Sequence, residues 1–135
     1  MPSPYVYERQ SEYWTSRQIE EFFLDLGFEV IVYPMEQVHE NLIPADFLFF
    51  DQQHCKLFGF QYKALYGNGR DFWPIDGRQH DRLARFPWIY YCLIELRHVR
   101  NARAALHSAR IVSIAGIPQT DQVYPSGTGR LERYS

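Results

Sequence analysis

The chain has 135 residues, of which 46% are hydrophobic and 17% aromatic, so it can bury a core and disorder is not expected. No run approaches about 18 consecutive apolar residues, so neither a membrane-spanning helix nor a membrane partner is expected. The net charge is −2, but residues 1–62 carry ten acidic and three basic side chains, whereas residues 63–110 carry nine basic and four acidic ones. This asymmetry suits an acidic metal site beside an arginine-rich, phosphate-binding surface, although ordinary solvated faces give the same pattern.

The N-terminus and the cysteines indicate the compartment. The first five residues contain neither a positively charged segment nor an apolar one, which argues against secretion. Cys55 and Cys92 lack the spacing of zinc ligands and are most simply reduced, buried thiols. We therefore expect a cytoplasmic protein.

The first element along the chain is a predicted helix. Ser11 or Thr15 is a suitable N-cap, and the helix is expected to run to Leu26, where Gly27 ends it. A β-branched and aromatic run over residues 28–33 then predicts the first strand.

A hairpin follows. Segments 45–51 and 56–66 are rich in Phe, Leu and Tyr and are separated by polar, turn-prone residues, so they predict two antiparallel strands. A turn midway between them places Asp46 opposite Gln61. Since side chains alternate along a strand, Lys63 lies on the same face as Gln61. The sequence thus predicts an acid, an amide and a lysine on one side of a sheet.

The second half of the chain predicts a loop, a helix, a buried strand and a final addition. The ranges are 70–77 for the loop, 78–85 for the helix, 88–96 for the strand, 101–110 for an alanine-rich helix and 111–114 for a last short strand. A strand that joins its neighbour through a helix is normally parallel to it, so we expect an α/β protein whose mixed sheet has helices on both faces. Residues 1–117 form the expected single domain, and 118–135 a polar, loosely ordered tail.

This order of elements, together with Asp46 and Gln61-x-Lys63, resembles the PD-(D/E)XK nuclease superfamily. The glutamine in place of the usual acid is similar to the Mrr-type restriction endonucleases and the endonuclease subunit of Tn7-like transposases. Leu26–Val30 and the Gln79-x-x-x-Leu83 pattern also resemble stretches of such domains. The resemblance implies a restriction endonuclease-like fold with an α-β-β-β-α-β core around a central mixed β-sheet.

The resemblance also implies a chemistry. In that family the oxygens of Asp46 and Gln61, with the backbone carbonyl of Tyr62, would bind Mg²⁺, for which Mn²⁺ can substitute, and Lys63 would orient or deprotonate the attacking water. A metal-dependent endonuclease acting on DNA in repair, recombination or restriction is expected, working as a homodimer or with a partner protein. RNA is an open alternative, as are a catalytically weak or inactive nuclease-fold module that binds nucleic acid or a protein, and an unrelated α/β protein.

The first helix of these nucleases usually carries a glutamate, and here Ser16 stands at that position. At about 100° per residue, Glu12 projects toward the apolar stripe of the helix, Glu20 lies about 110° from its centre, and Glu21 points to the opposite side. Glu12 is therefore the preferred fourth catalytic residue, with Glu20 as the alternative.

Contacts to nucleic acid are expected from the arginine-rich half. The candidate residues are Arg70, Arg78, Gln79, Arg82 and Arg85. A solvated helix face explains them equally well. The aromatic residues Tyr66, Phe72 and Trp73 are expected either to stack on unpaired bases or to close the edge of the core, and His80 is expected on the surface.

Overall fold

Two five-stranded sheets and two α-helices make up the part of the chain that the computed structural model describes, residues 3–35, 45–117, 122–125 and 131–134. Residues 36–44, which precede the hairpin, lie outside these ranges.

The elements follow the predicted order, with additional strands inserted and appended. In chain order they are β1 (Ser3–Pro4), α1 (Glu8–Asp25), β2 (Val30–Pro34), β3 (Phe47–Asp51), β4 (Lys56–Ala64), β5 (Tyr66–Asn68), β6 (Arg70–Pro74), α2 (Gly77–Leu83), β7 (Ile89–Ile94), β8 (Ala109–Ser113), β9 (Gln122–Pro125) and β10 (Leu131–Tyr134). Short 3-10 turns occupy Val99–Ala104 and Ile114–Gly116.

The main sheet has the strand order β2-β3-β4-β7-β8, with β4 and β7 parallel and every other neighbouring pair antiparallel. The parallel pair is the one that α2 connects, as expected for a crossover. This arrangement confirms the predicted α/β class. The register of the hairpin is also confirmed, because Phe47 pairs with Phe60, which places Asp46 beside Gln61. Asp51 stabilises the turn, because its Oδ1 accepts hydrogen bonds from the backbone N–H groups of Gln53 and His54.

Apolar residues cover both faces of the main sheet. On one face, Ile19 of α1 packs in a cluster with Phe60 and Tyr62 of β4. On the other face, Leu83 of α2 packs in a cluster with Leu93 of β7. The site residues of β4 therefore lie between two buried cores, which hold that strand rigidly.

The second sheet, ordered β1-β5-β6-β9-β10, was not predicted. The range 70–77, expected to be a loop, instead begins with β6, and the range 118–135, expected to be a loose tail, contributes β9 and β10. Trp73 of β6 and Val123 of β9 are both fully buried against the main sheet. These strands are short, and the pairs β1–β5 and β6–β9 join distant segments of the chain, so burial against the core stabilises them more than local preference does.

The helix predicted over 101–110 is wrong. Val99–Ala104 forms a 3-10 helix, and β8 already begins at Ala109. The side chain of Gln18 on α1 donates to the carbonyl of Ala102 at 2.7 Å and accepts from the backbone N–H of Leu106 at 2.8 Å. Because these backbone groups bond to α1, they are not available to an α-helical ladder.

Candidate functional site

Asp46 and Gln61 meet where β3 begins beside the middle of β4. Gln61 Nε2 donates to Asp46 Oδ2 at 2.9 Å, and the backbone N–H of Tyr62 donates to the same oxygen at 2.8 Å. The backbone N–H of Asp46 in turn donates to the carbonyl of Phe60 at 3.0 Å. The Asp46 carboxylate is half-buried and held by both strand edges, so its position is fixed by the hairpin itself.

Glu12 reaches the same carboxylate from α1. The helix begins at Glu8, earlier than either predicted cap, so Glu12 lies in its second turn. The side chains of Glu12 and Asp46 are hydrogen-bonded to each other. Burial, followed by the negative charges of Asp46 and Glu8, raises the pKa of Glu12 to about 8. The Glu12 carboxyl group therefore holds its proton more tightly than an ordinary glutamate does.

Lys63 lies two residues beyond Gln61 on β4 and is half-buried. Its Nζ donates to Oε1 of Gln79 on α2 at 2.6 Å. Burial lowers the pKa of Lys63, while the negative charges of Glu8, Asp46, Asp76 and Glu12 oppose that shift. Lys63 is thus close enough to Glu12 and Asp46 for each of them to affect its pKa.

Two acids near Lys63 were not identified from the sequence. Glu8 stands one helical turn before Glu12 and raises the pKa of Glu12 through its charge. Asp76 is the N-cap of α2, where its carboxylate accepts from the backbone N–H of Gln79 at 3.0 Å. An Asp that precedes a helix start is a recognisable capping signal, and the i, i+4 spacing of Glu8 and Glu12 could have suggested a shared helix face.

Ser16, which stands where the similar nucleases carry a glutamate, is buried and bonds to a core residue. Its hydroxyl is 2.7 Å from the hydroxyl of Tyr62, in the buried layer between α1 and β4. Burial raises the pKa of Tyr62 well above its usual value, so the phenol remains protonated. Only the backbone of Tyr62 faces the Asp46 carboxylate, because its side chain belongs to the core under α1.

The residues expected to contact nucleic acid are divided between two places. Arg78, Arg82 and Arg85 are exposed on α2 and directly after it, near the site. Gln79 is turned to Lys63 instead. Arg70 belongs to the second sheet, where its guanidinium lies 4.1 Å from the ring centre of Tyr124.

Three residues expected at or near the surface are buried. His80 is 7% exposed, and its Nδ1 is 2.9 Å from the hydroxyl of Tyr91, so its expected surface position is wrong. Trp73 is fully buried and donates through Nε1 to the carbonyl of Ile94, and Phe72 is buried as well. For these two aromatic residues the structure favours the core over base stacking.

The donor set of the site consists of oxygen atoms. Within the described ranges, no group of three or more His, Cys, Asp or Glu residues is arranged to hold a metal ion. The site offers two carboxylates, Glu12 and Asp46, with the Gln61 amide and the Tyr62 backbone beside them. Such oxygens match the preference of Mg²⁺, which keeps several waters and needs one or two carboxylates.

No family model, curated protein or solved structure matches the chain. The fold and the site define an α/β protein in which a carboxylate pair joins the first helix to the central sheet and a nearby lysine of that sheet bonds to α2. Among the residues that the structure describes, no helix is long and apolar enough to cross a membrane.

Proposed function

We propose that this protein is a metal-dependent nuclease that hydrolyses phosphodiester bonds in DNA, on a restriction endonuclease-like fold. The observation that carries the proposal is the Glu12–Asp46 carboxylate pair with Lys63 close by. Acids that bind a cation and a lysine that handles a proton are the groups that metal-assisted phosphodiester hydrolysis needs.

The carboxylate pair fits a divalent cation. Burial, followed by repulsion from Asp46 and Glu8, keeps the proton on Glu12 up to about pH 8, and a cation in place of that proton would offset the repulsion. Glu12, Asp46, the amide oxygen of Gln61 and the carbonyl of Tyr62 would hold Mg²⁺ or Mn²⁺. Gln61 now presents its nitrogen to Asp46, so its amide must turn to offer the oxygen. Such an ion would make a bound water more acidic and would offset charge on the phosphate.

Lys63 acts on the attacking water in this proposal. Its lowered pKa, which burial causes, makes it easier for Nζ to release a proton. Its ammonium group is also a hydrogen-bond donor that can orient the water toward phosphorus. Both tasks require a fixed Nζ position, and the 2.6 Å bond to Gln79 supplies one.

DNA contacts are proposed for the arginines around the site. Arg78, Arg82 and Arg85 are exposed on or directly after α2, and Arg9 is exposed on α1, one residue beyond Glu8. Arginine donors contact phosphates without reading bases, so substrate choice would rest on DNA shape or on a partner chain. A homodimer would supply the second site that cutting both strands requires.

A second candidate function is a nuclease-fold module that binds nucleic acid or a protein partner with weak or no turnover. The neutral Gln61 favours it, since Gln61 gives the site one negative charge fewer than an acid would. Such a module would bind DNA equally well with and without Mg²⁺.

The test is cleavage of supercoiled plasmid and of a four-way DNA junction, with Mg²⁺, with Mn²⁺ and with chelator. The proposal expects metal-dependent cutting that Asp46→Ala and Lys63→Ala each reduce at least roughly a hundredfold, as loss of a catalytic group does. Asp25→Ala, an exposed acid at the end of α1, is the matched control and should cut normally. DNA binding without cutting would support the module instead, and cutting that survives both site substitutions would refute the proposed centre.

A further inference from the structure

We infer that Gln79 is a positioning residue that fixes the ammonium group of Lys63, and that it is not a contact to the DNA backbone. This inference rests on the proposed nuclease function. Gln79 was predicted from the sequence to contact nucleic acid and here has a different role. The arginines around it keep their proposed role as DNA contacts.

The contact is short and charge-assisted. Lys63 Nζ donates to Gln79 Oε1 at 2.6 Å, and both side chains are half-buried. Hydrogen bonds from a charged donor are shorter and stronger than those between neutral groups, and partial burial weakens competition from water. With its oxygen occupied in this way, Gln79 is turned inward to β4 and away from a DNA surface.

The backbone that carries Gln79 is held as firmly as its side chain. Its N–H donates to Oδ1 of the cap residue Asp76 at 3.0 Å. The next residue, His80, is buried and bonds through Nδ1 to Tyr91 of β7 at 2.9 Å. Consecutive residues of α2 are thus bonded to the adjacent strands β4 and β7, so the helix cannot shift along the sheet without breaking one of these contacts.

A neutral acceptor is needed here for an electrostatic reason. Lysine has four rotatable side-chain bonds, and four nearby acids attract its ammonium group. These acids are Glu8, Asp46, Asp76 and Glu12. Without a fixed acceptor, Nζ would move among these acids and water and keep no single hydrogen bond. An amide oxygen holds the ammonium group in one place and adds no negative charge to the cluster.

The first arm of the test measures the hydrogen bond without any need for activity. The ¹⁵Nζ signal of a lysine ammonium group is visible by NMR when hydrogen bonding and burial slow its exchange with water. We expect a Lys63 signal, assigned by its loss in Lys63→Arg, in the wild-type protein and in Gln79→Glu, which keeps the acceptor. It should disappear in Gln79→Met, which has similar length and no carbonyl oxygen. Gln52→Met, the same change at an exposed turn residue, should leave it unaltered.

The second arm separates positioning from DNA contact. Gln79→Met should lower kcat on the plasmid roughly ten- to a hundredfold and leave the Kd for DNA, measured in Ca²⁺, unchanged. Gln79→Glu should recover part of the lost kcat. A raised Kd with normal kcat, or no change in either, would overturn the inference. If the wild-type protein never cuts DNA, the proposed nuclease function fails, but the inference about Gln79 does not. The NMR arm then decides the inference, which fails if the Lys63 signal is absent in the wild type or survives in Gln79→Met.

Discussion

Glu12 and Asp46 come from separate elements, yet their carboxyl groups are hydrogen-bonded. Burial and repulsion by neighbouring acids raise the pKa of Glu12 to about 8, which makes this pair sensitive to pH and to cations. The protonation of Glu12 can therefore be measured in the protein without metal or DNA.

One prediction concerns the pH dependence of stability. The pKa of Glu12 is about 8 in the folded protein, against an ordinary value of 4.5 for a glutamate in the unfolded chain. Between these values the folded state binds more protons than the unfolded state, so the free energy of unfolding should fall as pH rises from about 5 to about 8. Glu12→Gln should flatten that part of the curve. Urea denaturation at several pH values measures it, and parallel curves for the two proteins would contradict the pairing.

A second prediction at this scale distinguishes Glu12 from Glu20. Glu20 is exposed on α1 and lines a surface pocket with Tyr13 and Arg17. Millimolar Mg²⁺ or Mn²⁺ should raise the melting temperature of the wild type and of Glu20→Gln, since an ion that binds only the folded state stabilises it. Removing the ion with chelator should reverse the shift. Glu12→Gln should show no shift, and a response equal to the wild type would exclude Glu12 as a ligand.

At the scale of elements, the second sheet determines how the site is supported. Trp73 of β6 and Val123 of β9 are fully buried in the same cluster as Leu83 of α2 and Leu93 of β7. The helix that carries Gln79 therefore shares one buried cluster with strands of both sheets. Residues that the sequence assigned to a loop and a tail are part of the core that holds this helix.

This packing predicts that Val123 matters for stability although it lies in the range expected to be loose. Val123→Ala should lower the free energy of unfolding by about 1–3 kcal/mol, because it removes buried methyl groups from a close-packed cluster. Val99→Ala is the matched control, since Val99 is 48% exposed, and it should change stability by less than about 0.5 kcal/mol. Equal effects in a denaturant titration would show that β9 does not pack on the core.

At the scale of the whole molecule, the arginines separate into two groups. Arg97 is paired with Asp71 and Glu95, at 2.7 Å and 3.1 Å, and Arg110 is paired with Glu95 at 2.9 Å. Arg9 and Arg78 are exposed on the two helices nearest the site. An arginine whose charge is already neutralised by acids of the protein contributes little to phosphate binding. We therefore expect Arg9 and Arg78, and not Arg97, to bind DNA phosphates.

The salt dependence of DNA binding tests this division. Arg9→Gln and Arg78→Gln should each weaken binding and reduce the slope of log K against log salt by roughly one phosphate contact. Arg97→Gln should leave the slope unchanged and lower stability slightly, by about 0–1 kcal/mol, because its pairs are partly exposed. Fluorescence anisotropy with a labelled duplex at several salt concentrations measures the slope. An equal effect of all three substitutions would refute the division.

Much of the site's framework could be predicted from local patterns. The hairpin of β3 and β4 has two strand-forming runs and a polar turn of set length, so its register follows, and with it the positions of Asp46 and Gln61. The helical angle that favours Glu12 over Glu20 needs only the apolar stripe of α1. These features depend on residues close together in the chain.

The remaining features depend on contacts between distant residues. The second sheet, the replacement of a predicted helix by Gln18-bonded turns, and the inward turn of Gln79 each require partners far away in sequence. Local propensity differs by at most about 1 kcal/mol per residue, and burial of a large side chain outweighs it. The sequence by itself therefore determined the hairpin and the face of its polar residues. Only tertiary packing decided which helices, strands and charges surround them.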